Sequence, residues 1–342
     1  MSQQVTSGRI EVHDIEELNY CVSPWELDMR QISGGKFHAL LNFVQINGML
    51  LSRERWSQRV RASGVSPRDY LAVAGPCTKR SFQWRGTEIN SQRVLGGSGT
   101  NTDFLTPVGS DHWVILVPKD LLISKLGAES ASAALRRRRP IQCGSKLTRQ
   151  LFTLVDRTID QFRTEGDLPT DDLMIDDIES ELMNTIAKVF VEIDTGRDCT
   201  TPRSRYFACC RAISCAEDLQ SPIRVPELAA AVGVSQRVLE LGFKETLGIS
   251  PQRYLRWCRL NHLHRELRGA QPELATVTET ALRWGFSELG RAAVEYRRLF
   301  GESPSTTLRR DRRLPGIRYA DALSEPLSDF ALSCCRKGSS TT

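Results

Sequence analysis

The first third of the chain alternates between short apolar runs and turn residues, a pattern typical of β-strands. Residues 36–46, KFHALLNFVQI, form a strand candidate, and the Asn47-Gly48 pair that follows is typical of a two-residue hairpin turn. In the next run Trp56 and Val60 share one parity and four arginines share the other, which is the period of a half-buried strand. We therefore predict a small β-barrel or sandwich over residues 26–121, preceded by an N-terminal arm over residues 1–25.

The hydrophobic period changes to three and four residues after Lys146, which indicates amphipathic helices. Two such segments, separated by Gly166 and Pro169, predict a helical hairpin that packs on the barrel or on a second subunit. Before the hairpin lies a loose basic connection with four consecutive arginines at 136–139. Residues 122–195 are thus a basic linker and a helical hairpin, with dimerisation as a candidate role.

An internal repeat occupies the C-terminal third of the chain. Residues 227–251 and 279–304 both begin with Glu, have Ala two positions later and Gly six positions later, and end with Gly-x-Ser-Pro. The copies differ by a slip of one residue. The sequence between them, QRYLRWCRLNHLHRELR, predicts one connecting helix of roughly 26 Å.

Each copy has the pattern of a helix-turn-helix. In the first, over about 226–247, a short helix ends at Gly233 and Ser235 is a good N-cap for the next helix. The second helix of such a motif is the recognition helix, whose N-terminal part meets base edges in the major groove. We predict that this first recognition helix contacts DNA through Ser235, Gln236, Arg237, Glu240 and Lys244.

The second copy, over about 277–300, turns at Gly285, and we predict that Ser287 caps its recognition helix. Its predicted DNA contacts are Ser287, Glu288, Arg291 and Arg298. Adjacent major-groove faces of B-DNA lie about 34 Å apart, so a connecting helix of this length can place the two recognition helices in successive grooves.

The distribution of charge agrees with double-stranded DNA as the partner. The 342 residues carry a net charge of +5. Residues 205–313 hold 18 Lys and Arg against 12 Asp and Glu, a net of +6, whereas residues 1–204 hold 25 against 26, a net of −1. The positive balance therefore lies where the repeat lies.

Residues 212–313 resemble the DNA-binding domain of the AraC/XylS family of bacterial transcription regulators. The resemblance rests on VPELAAAVGVSQRVLELGFKETLGISPQRYLRWCRL and on VTETALRWGFSELGRAAVEYRRLFGESP, and the second stretch is the family's more specific signature. It implies promoter binding and gene activation through RNA polymerase. We accordingly predict a cytoplasmic, homodimeric, DNA-binding activator controlled by a small-molecule effector.

The chain departs from the family pattern at two places. Leu241-Gly242 stands where basic residues are common in the first recognition helix, and Ala292 stands where the second often has an aromatic residue. Either the set of DNA contacts is unusual or one motif binds more weakly.

The N-terminal region is similar, more loosely, to the cupin-like sensory domain of these regulators. The likeness rests on the order of strands, helices and DNA-binding domain, and on the run WRGTEIN, VLGGSG and TPVGSDHWVILVP. A barrel of this kind can hold a small ligand. Trp56, Trp84 and Trp113 are candidates for the effector pocket, with the ordinary core as the alternative.

Two other functions stay open at this point. One is a cupin-like metal enzyme with an accessory helical domain, and the other is a regulator controlled by a protein partner. His38, Asp111 and His112 have no recognisable metal-ligand spacing, and no nucleophile motif or phosphate loop occurs, so we predict no catalytic residue, cofactor or metal. We also expect no signal peptide, no membrane span and a disordered tail over 314–342.

Overall fold

The computed structural model describes residues 5–136, 140–164, 172–192, 204–218, 223–310 and 316–324. The N-terminal part consists of antiparallel strands in two sheets. The strands are β1 (Val5–Val12), β2 (Glu26–Gln31), β3 (Ala39–Ile46), β4 (Met49–Trp56), β5 (Val60–Val65), β6 (Tyr70–Pro76), β7 (Phe82–Trp84), β8 (Thr87–Ile89), β9 (Arg93–Gly97), β10 (Asn101–Leu105), β11 (Ser110–Pro118) and β12 (Ile141–Gln142). The large sheet has the order β1-β3-β4-β11-β6-β9-β12, and the small sheet has the order β2-β5-β10-β7-β8.

The helices follow the same chain order and dominate the second half. They are α1 (Ile15–Cys21), α2 (Lys119–Leu126), α3 (Ala128–Leu135), α4 (Gly144–Thr164), α5 (Asp172–Ala187), α6 (Ser204–Asp218), α7 (Val225–Ala231), α8 (Gln236–Leu247), α9 (Pro251–Gly269), α10 (Val277–Arg283), α11 (Leu289–Phe300), α12 (Pro304–Arg309) and α13 (Tyr319–Ser324). A π-helical turn, Lys188–Glu192, extends α5. None of the described helices combines the length and apolar character needed to cross a bilayer.

The predicted hairpin at Asn47-Gly48 is confirmed. Both residues have positive φ, 48° and 80°, as the tight hairpin turn with matching strand twist requires. The turn sets the register of β3 on β4, in which Val44 lies opposite Leu51. The arginines of β4 therefore share one face, and Trp56 lies on the other.

The large sheet is covered on both faces, which explains its nearly continuous apolar strands. Along β11, Trp113 and Ile115 pack in one core with the apolar residues of α4 and α5. Val114 and Leu116 pack in a second core, between the two sheets. The predicted helical hairpin is thus α4 and α5, and its apolar face lies against the large sheet.

The predicted fold class, a β-rich domain followed by a helical domain, is confirmed, but the strands do not close into one barrel. They form two facing sheets, and among the described strands no hydrogen-bonded pair joins one sheet to the other. Helix α1 stands between β1 and β2 in the chain, and these two edge strands belong to different sheets.

Three segments that we predicted as irregular contain regular structure. The predicted arm over residues 1–25 supplies β1 and α1, because Val12 and Leu18 are fully buried. The predicted loose linker contains α2, α3 and β12, with Ala131 in the core against α4. Of the arginine run, residues 137–139 lie outside the described residues.

The tail that we predicted as disordered contains α13. Tyr319 and Ala322 on this helix are 0% and 1% exposed, and they pack in the core between the sheets. Two buried side chains on one turn are enough to fix the helix there. Residues 325–342 lie outside the described part of the chain.

Candidate DNA interface and internal cavity

The two helix-turn-helix motifs turn at glycines with almost the same backbone conformation. Gly233 has a φ of 69° and Gly285 a φ of 76°, in the left-handed region that glycine adopts without strain. In the first motif the amide of Val234 donates to the carbonyl of Ala229 at 3.0 Å, and the equivalent bond in the second motif is also 3.0 Å long. This pattern terminates the first helix of each motif and starts the turn.

The repeated Gly-x-Ser-Pro sequence ends one helix and begins the next. Gly248 and Gly301 follow the recognition helices α8 and α11 with φ values of 71° and 75°. Ser250 and Ser303 then cap α9 and α12, since each hydroxyl accepts the amide three residues further on, at 3.3 and 3.1 Å. The proline at the first helical position needs no amide donor.

The predicted N-cap is confirmed in the first motif and wrong in the second. Ser235 accepts the amide of Val238 at 3.3 Å and starts α8. The helix α11 begins one residue later than its counterpart, so its N-cap is Glu288, which makes no side-chain cap bond. The one-residue slip between the copies moves Ser287 out of the cap position.

All nine residues predicted to contact DNA are exposed. On α8, the side chains of Gln236, Arg237, Glu240 and Lys244 form no ion pair with any other described residue. The arrangement on α11 is different, because Arg291 lies 3.7 Å from Glu288 and 3.3 Å from Glu295. The first recognition helix thus presents unpaired charges, whereas the second presents an arginine between two carboxylates.

The departures from the family pattern have packing causes. A Cβ at Gly242 would lie 2.7 Å from the carbonyl oxygen of Arg205, so only glycine lets α6 approach α8 this closely. Ala292 is 3% exposed and faces the core of the second motif. Gly242 and Ala292 therefore adjust packing and do not face outward.

The connecting helix α9 has 19 residues, or about 28 Å. Two of its arginines bind the second motif instead of facing solvent. Arg256 pairs with Glu295, and the guanidinium of Arg259 lies 5.2 Å from the centre of the Phe286 ring. These contacts tie α9 to α11.

Two loops of the N-terminal domain reach the C-terminal ends of both recognition helices. Arg59 donates to the carbonyl of Leu247, in the last turn of α8, at 3.0 Å. The amide of Gly35 donates to the carbonyl of Leu299, in the last turn of α11, also at 3.0 Å. Ser33 joins the two loops, because its hydroxyl accepts the amide of Arg59 at 2.8 Å. These bonds satisfy carbonyls that a helix end leaves unpaired.

A buried ionic cluster holds the small sheet against α6 and α9. Glu217 on α6 accepts from Arg61 of β5 at 2.5 Å and from the hydroxyl of Tyr254 on α9 at 2.7 Å. Arg30 of β2 lies 3.7 Å from the same carboxylate. Since Arg30 and Arg61 are nearly buried, removing one partner would leave an uncompensated charge in the interface.

A second ionic cluster joins α1 to the end of the DNA-binding domain. The Asp14 carboxylate lies 3.0 Å from His264 of α9 and 3.0 Å from Arg310. Burial raises the pKa of Asp14, but the charges of His264 and Arg268 and the bond from His264 outweigh burial and lower it to about 2. The sequence offered no signal for either cluster, because the partners are 37 to 296 positions apart and belong to different elements.

A cavity lies between the two sheets of the N-terminal domain. Its volume is about 70 Å³. Of the three tryptophans predicted for an effector pocket, Trp56 and Trp84 line this cavity. Trp113 does not, because it is fully buried on the opposite face of β11 against α4 and α5.

Two groups of described residues have donor atoms close enough for a metal ion. Glu11, His13 and His38 form the first, which is at the surface. Asp14, His264 and Glu302 form the second, but there Arg310 pairs with both carboxylates and already supplies positive charge. The three residues singled out in the sequence, His38, Asp111 and His112, do not form a group of this kind among the described residues.

Comparison with known proteins addresses the C-terminal half. Residues 228–310 match the model of a family described as a helix-turn-helix domain. Over 90 residues the chain is 46% identical to a probable thc operon regulatory protein of Rhodococcus erythropolis, and the match covers 26% of this chain and 27% of that protein. It is 38% identical over 94 residues to XylDLEGF operon transcriptional activator 1 of Pseudomonas putida, and this match covers 28% of each chain.

The chain is also similar in sequence to a protein of solved structure. The chain is 39% identical to a probable AraC family transcriptional regulator from Rhodopseudomonas palustris CGA009, over 31% of this chain and 99% of that chain, with a TM-score of 0.29. The matches to the two curated relatives span about a quarter of the length of those proteins.

The fold and the repeated turns define a DNA-binding domain with two helix-turn-helix motifs. Together with these comparisons, they show that residues 228–310 form a helix-turn-helix domain similar to those of AraC/XylS-type regulators.

Proposed function

We propose that the chain is a transcription regulator that binds one promoter site through both recognition helices, α8 and α11. The observation that carries the proposal is the pair of matched motifs, with nine outward polar and charged residues, fixed on one connecting helix. Promoter DNA is then the partner, and the cytoplasm is the compartment. The role needs no catalytic group.

We further propose that the regulator activates transcription by contacting RNA polymerase and that it acts as a homodimer. Support for activation comes from the Pseudomonas putida relative, whose name describes a transcriptional activator. A reporter gene placed behind the bound site distinguishes the outcomes, since loss of expression on deletion of the regulator supports activation and a gain supports repression.

The third part of the proposal is control by a small molecule in the cavity between the sheets. The small sheet separates this cavity from the DNA-binding domain. Along its strands, alternate side chains face the cavity and the DNA-binding domain. On β2, Leu27 and Met29 line the cavity. Asp28 and Arg30 face the other way: Asp28 pairs with Arg265 on α9, and Arg30 lies near Glu217 on α6.

The strand β10 repeats this arrangement. Thr102 and Phe104 line the cavity, whereas Asp103 lies 3.2 Å from Arg61 and 3.5 Å from the hydroxyl of Tyr206 on α6. A ligand that displaces either strand would therefore change the contacts that hold α6 and α9, against which the recognition helices α8 and α11 pack.

Selection of random double-stranded DNA with the purified full chain tests the DNA-binding proposal. We expect an enriched site with two boxes about 10 bp apart, one for each recognition helix. Arg237→Ala should relax one box, and the matched control Arg163→Ala, on an exposed part of α4, should leave both unchanged. Recovery of no preferred sequence would reject the proposal.

Control by a ligand is tested with a small-molecule screen by thermal shift, because a ligand that binds the folded chain raises its melting temperature. Ala72 lines the cavity, so Ala72→Leu should remove the shift produced by a ligand of the cavity. Each such ligand should also change the affinity for the selected DNA. Ligands that bind the cavity and leave DNA affinity unchanged would contradict control from this site.

A further inference from the structure

The cavity between the sheets has aromatic walls and one buried carboxylate. Its aromatic side chains are Trp25, Trp56, Phe82, Trp84 and Phe104. Glu54 also lines the cavity and is 3% exposed. Its position follows from the register of the large sheet, in which Glu54 of β4 lies opposite His112 of β11.

The carboxylate of Glu54 has few partners for a buried charge. The hydroxyl of Tyr319 donates to it at 3.0 Å, and Nε2 of His112 lies 3.6 Å away. Within the described part of the chain, no Lys or Arg nitrogen lies within 4.0 Å of it. By contrast, the buried carboxylate of Asp14, at the domain interface, has two arginine partners, Arg268 and Arg310.

A buried carboxylate is stable when a positive charge or several donors compensate it. The faces of indole and phenyl rings also attract cations, most strongly where water is excluded. The carboxylate and the aromatic walls therefore both favour a positively charged ligand. An anionic ligand would meet repulsion from Glu54, and the described lining residues include no Lys or Arg to offset it.

The size of the cavity limits the ligand further. One enclosed water molecule needs roughly 10–15 Å³, so a cavity of about 70 Å³ has room for a small ligand. A molecule of this size cannot carry many polar groups and still match walls that are mainly apolar.

We propose that the cavity binds a small organic cation, an alkylammonium whose nitrogen pairs with Glu54 and whose hydrocarbon part packs among Trp56, Trp84 and Phe104. The role of this ligand as effector rests on the proposed function. Its binding to the cavity does not, because the binding can be measured without DNA.

The test compares three probes of similar size on the full chain: cyclohexylammonium, cyclohexanol and pentanoate. Butylammonium extends the amine series. Isothermal titration at concentrations up to about 10 mM should show binding of at least one amine, with cyclohexanol at least tenfold weaker and pentanoate without measurable binding.

Glu54→Gln keeps the shape of the side chain and its acceptor for Tyr319 but removes the charge. We expect it to weaken amine binding by about tenfold to a hundredfold, because a charged hydrogen bond becomes a neutral one. Tyr319→Phe leaves the carboxylate and should keep amine binding. Glu88→Gln, an exposed carboxylate on β8, is the matched control and should have no effect.

Three results would overturn the proposal: absence of binding by the whole amine series, equal binding of cyclohexanol, or amine binding unchanged by Glu54→Gln. A neutral ligand that binds the cavity and alters DNA affinity would reject the ammonium class and leave control from this cavity intact. Amine binding that depends on Glu54 without any effect on DNA affinity would confirm the site and reject its role as effector site.

Discussion

The two helix-turn-helix motifs share a backbone design but differ in what surrounds their recognition helices. The core of α8 is shared with α6, and it includes Ile32 of the N-terminal domain. The core of α11 is built from α9, α10 and α12, with His264 stacked on Phe300 at 4.2 Å. The two copies therefore share their turns and their Gly-x-Ser-Pro endings, while each copy has its own packing partners.

The outward faces differ as well. Arg237, Glu240 and Lys244 of α8 form no ion pair among the described residues, whereas Arg291 of α11 lies between Glu288 and Glu295. DNA must compete with these carboxylates for Arg291, but it meets no such competition at Arg237. We therefore expect the first motif to contribute more of the binding free energy than the second.

The largest expected effect is on DNA affinity. Arg237→Ala should weaken binding to the selected site by about 1–3 kcal/mol, the usual range for an arginine that reads a base. Arg291→Ala should weaken binding by less than about 1 kcal/mol, because its carboxylate partners offset the loss. Fluorescence anisotropy titrations at one fixed salt concentration measure both. An equal or larger effect at Arg291 would reverse the ranking of the motifs.

Substitution of glycine by alanine should change the stability of the chain in opposite directions in the two recognition helices. Gly242→Ala places a Cβ 2.7 Å from a backbone carbonyl and should destabilise the chain by about 1–3 kcal/mol. Gly290→Ala meets no atom within 4 Å and should stabilise it by about 0.5–1 kcal/mol, since alanine favours helix.

Urea unfolding of both glycine variants beside the wild type gives the two free energies. Stabilisation by Gly242→Ala would show that α6 does not pack on α8 as closely as described.

The stability of the packing around the second motif should depend on pH between about 6.5 and 4, because it includes His262. His262 stacks on Trp284 at 4.5 Å, and burial, followed by Arg30 and Arg265, lowers its pKa from 6.5 to about 4. The folded state thus binds the proton less readily than the unfolded state. The stability from neutral His262 is complete above pH 6.5 and is lost as the pH falls towards 4.

Thermal unfolding between pH 7 and 4 tests this dependence. His262→Gln should flatten the fall in melting temperature over that range, and the exposed His13→Gln should keep the wild-type profile. Asp14, with a pKa lowered from 3.8 to about 2, adds a loss of stability only at more acidic pH. Equal profiles for the wild type and His262→Gln would show that His262 is not held neutral by its surroundings.

The smallest effect concerns the pairing of Arg291. Glu288→Gln should raise DNA affinity by a few tenths of a kcal/mol, because an exposed ion pair contributes little and its loss releases the arginine. In an Arg291→Ala background the same change should have a smaller effect. Affinity measurements on the four variants form a double-mutant cycle, and additive effects would show that the pair does not influence binding.

The sequence predicted features set by local chemistry. Gly233, Gly285 and the Gly-x-Ser-Pro endings specify turns and caps through their own backbone preferences, so both motifs were recognisable without a structure. The hairpin at Asn47-Gly48 was predictable for the same reason. The exposed positions on α8 and α11 followed from helical periodicity.

Features that depend on distant partners were not predictable. Gly242 resembles a defect in a helix until Arg205 is placed beside it. Trp113 has the same local sequence character as Trp56, and the sheet register alone decides that it faces the helices. The ionic clusters around Glu217 and Asp14 join residues far apart in the chain, and no periodic pattern marks them.

The claim that one chain reads two successive major grooves is tested most directly by hydroxyl-radical footprinting on the selected site. We expect two protected stretches on one face of the duplex, centred about 10 bp apart. Insertion of about 5 bp between the boxes moves them to opposite faces and should abolish one of the two protections. A single protected stretch that the insertion leaves unchanged would contradict the account.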